Sequence, residues 1–374
     1  MQQMAYFDHA AATPTDPEVA KAMVPYFTTS FGNPSSQHAI GKLAAKAVSE
    51  SRAAIAQFIN RSAEEVYFTG SGTESNNLAI LGVARANKNK GKQIITTKIE
   101  HPSVLNACQA LERDGYDVIY LPVTSDGLIE IANLKSAITK QTILVTTHFG
   151  NSELGVLQPI EEIGQICKEN NIFFHVDACQ AMAYLAIDAE KYQIDLLTFN
   201  GSKMYGPKGI AVLYVRDGVP IFPIVYGGGQ ERSLRSGTEN VPAIVGLARA
   251  AEITLNSGLS GAKRITELRD ELQKELMHLG ARINAAGAPR LPNHLSVTLE
   301  KTKEKDLVSA LDRLGIAASS GSACSSKDLS QSHVLGAIGL TADEANKTIR
   351  VTLGRSTTKA DCDQLIAAIK KAGA

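Results

Sequence analysis

Between residues 66 and 215 short β-rich runs alternate with helical segments, and this alternation constrains the fold more than any other feature of the chain. The spacing predicts strands over 66–69, 93–97, 118–121, 142–147, 172–176, 196–199 and 209–215. Helices are expected from residue 76, from Pro102, over 131–138 and over 160–169. Apolar strands separated by amphipathic helices argue for an α/β fold, its mostly parallel sheet covered by helices on both faces. Polar residues then fall just after strands, where open α/β sheets bind ligands. Thr73, His101, Asn151, Ser152, Asp177 and Gln180 occupy such places.

The flanks read differently. Helical patterns cover 17–27 and 41–59, with a turn at 31–36 between them. Near residue 250 the pattern changes to one long helix over 262–279, then an alternating, half-exposed strand over 294–299 and a helix over 306–314. A strand over 348–353 and a helix over 359–371 follow. The expected organisation is a large domain over 14–250 and a smaller α+β domain built from 1–13 and 251–374.

Five places carry candidate chemistry. Lys203 lies on a short loop between two strands, bounded by Gly201 and by the turn at Gly206 and Pro207. A lysine held there, partly desolvated, keeps an amine neutral enough to form a Schiff base. Its other reading is a solvated loop residue, with Lys208 a rival on composition. The turn GSGTES at 70–75 joins a strand to a helix, so backbone N–H groups, a hydroxyl and a helix N-terminus converge in a way that suits a phosphate. It matches neither the Walker nor the dinucleotide spacing, and many such turns only reverse the chain. Asp177 ends an apolar strand, where a carboxylate needs a partner such as a protonated ring nitrogen; a helix N-cap is the alternative. His101 precedes Pro102 at a helix start and reads either as a capping residue or as a site residue. Arg350, inside a strand pattern, is either a surface residue or a clamp for a carboxylate.

Composition narrows the partners. With 38 basic and 38 acidic residues the formal net charge is zero, so nothing draws the chain broadly to nucleic acid or to an anionic membrane. No apolar run approaches a bilayer span, and residues 1–6 do not resemble a secretion signal. The five cysteines are odd in number and lack metal-ligand spacing, so a reducing, cytoplasmic setting without a bound metal is expected. Cys108, Cys167, Cys179 and Cys362 read as packing residues, whereas Cys324 sits among Ser, Gly and Ala and reads either as a loop nucleophile or as an incidental exposed cysteine.

In order along the chain stand FDHAAATP (7–14), GNPSS (32–36), FTGSGTESN (68–76), EH (100–101), VDACQ (176–180), KMYGPKG (203–209), GGGQER (227–232), RSGT (235–238), SSGSAC (319–324) and Arg350. This set resembles the cysteine desulfurases of the NifS/IscS type, within the class-V aminotransferase-like group of fold-type I pyridoxal-phosphate enzymes, over essentially the whole chain. The resemblance implies an aspartate aminotransferase-like fold in which Lys203 holds pyridoxal phosphate as a Schiff base and later moves the substrate Cα proton. Asp177 would pair with the ring nitrogen, His101 would stack on the ring and assist proton transfer, and Gln180 would bond the ring hydroxyl. Gly72, Thr73, Asn200 and Ser202 would surround the phosphate, with Thr238 arriving from the second subunit of a homodimer. Arg350, helped by Asn33, would take the carboxylate of L-cysteine. Cys324 would attack the substrate sulfur, leaving a persulfide for a sulfur-acceptor protein, in iron–sulfur cluster assembly or tRNA thiolation, and releasing alanine.

Three departures accompany the resemblance. Ser202 stands where the family usually has histidine before the Schiff-base lysine, Asn200 stands for a serine two residues earlier, and Ser152 replaces an asparagine near the ring hydroxyl, with Asn151 one position early. They keep open a cystine or selenocysteine lyase, or a catalytically silent sulfur-relay homologue.

Overall fold

A computed structural model describes residues 4–302, 304, 306–320 and 332–373, with the backbone alone at 258–260. Twelve strands are present among them: β1 (Ala5–Tyr6), β2 (Val66–Thr69), β3 (Gln93–Thr97), β4 (Asp117–Leu121), β5 (Thr142–His148), β6 (Phe173–Asp177), β7 (Leu196–Asn200), β8 (Ala211–Val215), β9 (Arg282–Ile283), β10 (His294–Thr298), β11 (Ile316–Ala317) and β12 (Thr348–Thr352). Seven of them form one sheet in the order β2-β8-β7-β6-β5-β3-β4. Strands β3 to β7 pair in parallel, and β8 runs antiparallel to β7 and β2 on either side.

Adjacent residues of these strands feed opposite apolar layers, as the period of two requires. Ile95, Val145, Leu197 and Val212 join Phe174, Phe199 and Tyr214 in one core, where Ile55 and Leu247 cover them from helices. Ile94, Leu144, Leu196 and Leu213 join Leu78, Val104 and Leu111 in the other. Both faces are therefore dry, which is why the strands read as continuous apolar runs. A third core gathers Phe7, Ile265, Leu272, Val297, Ile349, Val351 and Leu365 around a sheet of order β12-β10-β9. The α/β architecture, with a mostly parallel sheet covered by helices and a smaller α+β part, is the observed one.

Three local expectations need correction. Strand β10 is buried along its whole length instead of half exposed. It lies in the middle of its sheet, and its polar residues face neighbours: the amide of Asn284 donates to Ser296 Oγ and Thr298 Oγ1 (3.0 Å each). The long helix runs Val241–His278 and not 262–279, because Asn240 caps it and Pro242 sits in the first turn, where proline is tolerated. The helix expected over 17–27 is two, Pro17–Met23 and Pro25–Thr28, since Pro25 starts a new one. Among the described residues no helix is long and apolar enough to cross a membrane.

Candidate active site

The C-terminal ends of the parallel strands place the side chains. Helix Gly72–Ala86 is separated from β2 by Gly70 and Ser71, with the Ser71 hydroxyl accepting from the Glu74 N–H (3.2 Å). Helix Pro102–Arg113 follows β3, and Nδ1 of His101 accepts from the Ser103 N–H (3.1 Å) as its N-cap. Strand β6 ends at Asp177, and β7 ends at Asn200 in a single tight turn over Gly201–Lys203. A side chain on Gly201 would meet the Pro207 carbonyl at 2.5 Å, so this turn closes only around glycine. These ends, with Ala10 and Ala11 from the N-terminal segment and Arg350 from β12, enclose a cavity of about 290 Å³.

Gly72, Thr73, His101, Ser152, Asp177, Gln180, Asn200, Ser202, Lys203 and Arg350 all line this cavity. Lys203 Nζ donates to the Ala11 carbonyl, while Lys208 is exposed to solvent. Gln180 Nε2 donates to the Ala10 carbonyl (3.0 Å). Asn33 and Thr238 are not among the lining residues; Asn33 Oδ1 accepts from the Ser35 N–H, and Thr238 is exposed. Cys324 lies outside the described residues.

Burial opposes ionisation of Asp177, but His101, the N–H of Cys179 (3.0 Å) and the amide of Asn76 (2.7 Å) outweigh it and hold the carboxyl below its usual range. Burial leads in lowering the His101 pKa. Arg350 donates from one terminal nitrogen to Asp8 (2.7 Å) and from the other to the Ser152 carbonyl (3.0 Å). Its buried Nε has no partner among the described residues, which leaves a donor for an incoming carboxylate.

Sequence reasoning did not single out Asn76, Glu100, His148, Glu153 or His333, which also line the cavity. Glu100 Oε1 accepts from Thr97 and Thr147 and pairs with His148 Nδ1 (2.8 Å). Burial raises the Glu153 pKa, and its carboxylate accepts from the Ser332 hydroxyl (2.6 Å). For Glu100 and Glu153 the local signal was position shortly after a strand, and it does not separate a site carboxylate from a solvated one. Asn151 is occupied with the turn: its amide donates to the Ile99 carbonyl and its oxygen accepts from Glu153 and Leu154.

The donor set suits pyridoxal phosphate. A Cβ at Gly72 would stand 2.9 Å from Cys179 Sγ and 3.0 Å from Asn200 Nδ2, so glycine keeps that corner open. The first-turn N–H groups of Gly72 and Thr73 lack intrahelical partners, and the Asn200 amide and Ser202 hydroxyl (3.3 Å from Asn200 Oδ1) stand beside them. An ionised Asp177 suits a protonated ring nitrogen, and Lys203 supplies the amine.

The family Aminotransferase class-V matches the chain over residues 5–365. A cysteine desulfurase IscS from Methanosarcina thermophila is 44% identical over 96% of this chain and 90% of its own length. Among solved structures, one titled NifS-like protein aligns over 99% of both chains with a TM-score of 0.92 at 36% identity. Another, titled SspA in complex with cysteine, covers 95% of this chain and 100% of its own, at 38% identity and a TM-score of 0.85. Sequence, fold and cavity agree, and the chain belongs to the class-V aminotransferase family, within its NifS/IscS group of cysteine desulfurases.

Proposed function

We propose that this chain is a pyridoxal-phosphate-dependent cysteine desulfurase that converts L-cysteine to L-alanine and transfers the sulfur through Cys324. The observation that carries the reading is one cavity holding a lysine amine, an ionised carboxylate and an arginine with a spare donor: Lys203, Asp177 and Arg350. Bound there, the cofactor supplies an electron sink for the bond changes at the substrate's Cα and Cβ. Asp177 keeps its ring nitrogen protonated, Gln180 bonds the ring hydroxyl, Ser152 stands beside it, and Gly72, Thr73, Asn200 and Ser202 hold the phosphate. Arg350 and Asn33 would orient the substrate carboxylate, Lys203 would carry the Cα proton, and His101 would assist its transfer. Cys324, as thiolate, attacks the substrate sulfur. An S–S bond forms as the Cβ–S bond breaks, and the electron pair left on carbon takes a proton to give the methyl group of alanine.

Residues 14–250 would be the large cofactor domain, and 1–13 with 251–374 the smaller one, joined by helix Val241–His278. Thr238, exposed and not among the residues that line the cavity of its own chain, would serve the partner's phosphate in a homodimer. The four described cysteines are unpaired, which fits a reducing cytoplasm and a persulfide handed to an acceptor protein.

The test is direct. Purified protein given L-cysteine should show a visible cofactor band that shifts, with alanine and persulfide formed. Lys203→Ala should lose the covalent link and turnover. Cys324→Ala should keep the cofactor and lose the persulfide; undiminished sulfur transfer by that variant would sink the mechanism. Activity on cystine or selenocysteine in place of cysteine would select the lyase reading.

A further inference from the structure

A chain of hydrogen bonds in the cavity wall fixes where the proton of His101 sits. Asp177, held ionised, can only accept. The amide of Asn76 must therefore turn its nitrogen to Asp177 Oδ2 (2.7 Å), because the flipped amide would set oxygen against carboxylate oxygen. The same Nδ2 gives its second hydrogen to Ser103 Oγ (2.9 Å), and Asn76 Oδ1 has no partner among the described residues. Ser103 Oγ, having accepted there, is left with its own hydrogen to donate, and the acceptor in reach is His101 Nδ1 at 2.7 Å. The Ser103 backbone N–H points at the same Nδ1 (3.1 Å). Two donors on one ring nitrogen exclude a proton there.

We propose that Asn76 and Ser103 are positioning residues that lock His101 as the neutral imidazole with its proton on Nε2, so that His101 meets the reacting groups as a hydrogen-bond donor and not as a base. The relay runs from the carboxylate assigned to the ring nitrogen to the imidazole assigned to the ring face, and so ties the ionisation of one to the tautomer of the other. Surrounding charge bears on the same ring: Asp177 and Glu100 favour a protonated imidazole, Lys203 and His333 oppose it, and burial is the largest influence against it. The inference rests on the desulfurase reading for the word "reacting", but the tautomer does not.

The test uses the full-length holoenzyme labelled with ¹⁵N-histidine. The chain has eight histidines, so His101→Asn identifies the signal by its loss. The wild type should show a bare Nδ1 and a protonated Nε2 at neutral pH. Ser103→Ala removes a donor that stabilises the neutral ring, so tautomers should mix and the imidazole pKa should rise. The acid limb of kcat, set by the Nδ1 protonation that breaks this relay, should move to higher pH, and kcat should fall ~10-fold with KM within ~2-fold, about the worth of one positioned hydrogen bond. Ser103→Thr, which keeps the hydroxyl, should restore both readouts. A proton on Nδ1 in the wild type, or an unchanged tautomer and acid limb in Ser103→Ala, would overturn the proposal. If the protein turns over no L-cysteine, the desulfurase reading fails while the NMR signal still decides the tautomer.

Discussion

At the scale of single residues, the cysteines divide by environment. Only the thiolate is a nucleophile, so a thiol whose pKa is pushed far up is inert near neutral pH. Burial pushes Cys108 and Cys362 to about 12 and raises Cys167. Cys179 lines the cavity, yet burial, and then the neighbouring Asp177, raise it well above the ordinary thiol range, against a smaller opposing influence from Lys203. A thiol at pKa ~12 carries on the order of a thousandfold less thiolate at neutral pH than an ordinary one at ~8.5. Iodoacetamide on the native protein should therefore alkylate Cys324 first and alone at early times, read by peptide mapping. Early label on Cys179 would move the nucleophile into the cavity wall and remove the argument for Cys324.

At the scale of elements, the corner of the cavity around Gly72 is held from behind by a strained segment. Glu231, Arg232 and Ser233 are three successive non-glycine residues at φ of 48°, 54° and 66°, in the left-handed region. Such residues cost ~1–3 kcal/mol each and persist only where neighbours over-determine them. Here Glu231 takes both terminal nitrogens of Arg52 (2.7 and 2.6 Å) and the N–H of Phe68 in β2 (2.8 Å), while Arg232 lies 3.9 Å over the Tyr67 ring. Arg235 then grips Glu74 in the first turn of helix Gly72–Ala86 (2.7 Å). Glu231→Ala strands a largely buried guanidinium and a strand N–H, so about 3–5 kcal/mol of stability should be lost, with Glu231→Gln losing less; a wild-type urea midpoint in Glu231→Ala would refute this account. None of it was legible in the local pattern, since Arg52 and Glu231 are 179 positions apart. What was legible is what depends on local pattern. Strands β2 and β3 fall at the expected residues, because a strand buried on both faces announces itself as an apolar run between turn residues. Lys203, Asp177 and His101 were legible because each follows such a run. The interior of β10 was not, because its polar alternation reflects an Asn284 network and not water.

At the scale of the whole molecule, residues 5–13 stitch the cores together and carry a titratable weak point. Strand β1 pairs with β11, Asp8 pairs with Arg350, Thr13 donates to the Ser202 carbonyl, and Ala11 accepts from Lys203. Amid these contacts His9 is buried, its ring against Tyr6 (4.9 Å) and so near Gly354 that any side chain there would collide with it. Neither ring nitrogen has a hydrogen-bond partner among the described residues, and burial lowers its pKa to about 4. Burial lowers His175, in the middle of β6, to about 4 as well. A depressed histidine takes its proton in the unfolded chain first, so below pH ~6.5 the unfolded state binds more protons and stability falls until the folded pKa is passed. The raised carboxyls of Glu153 and Asp195 have the opposite sign and recover part of the loss. Between pH 7 and pH 5 a single group shifted from ~6.5 to ~4 loses about 2 kcal/mol. His9→Phe keeps a ring in place and removes the proton site without orphaning a partner. It should match or exceed the wild type at pH 7 and lose about 2 kcal/mol less on going to pH 5, measured from urea midpoints at the two values. An unchanged difference would place the acid sensitivity at the other histidines that burial depresses, His101, His175 and His294, and leave the N-terminal segment as a purely geometric tie.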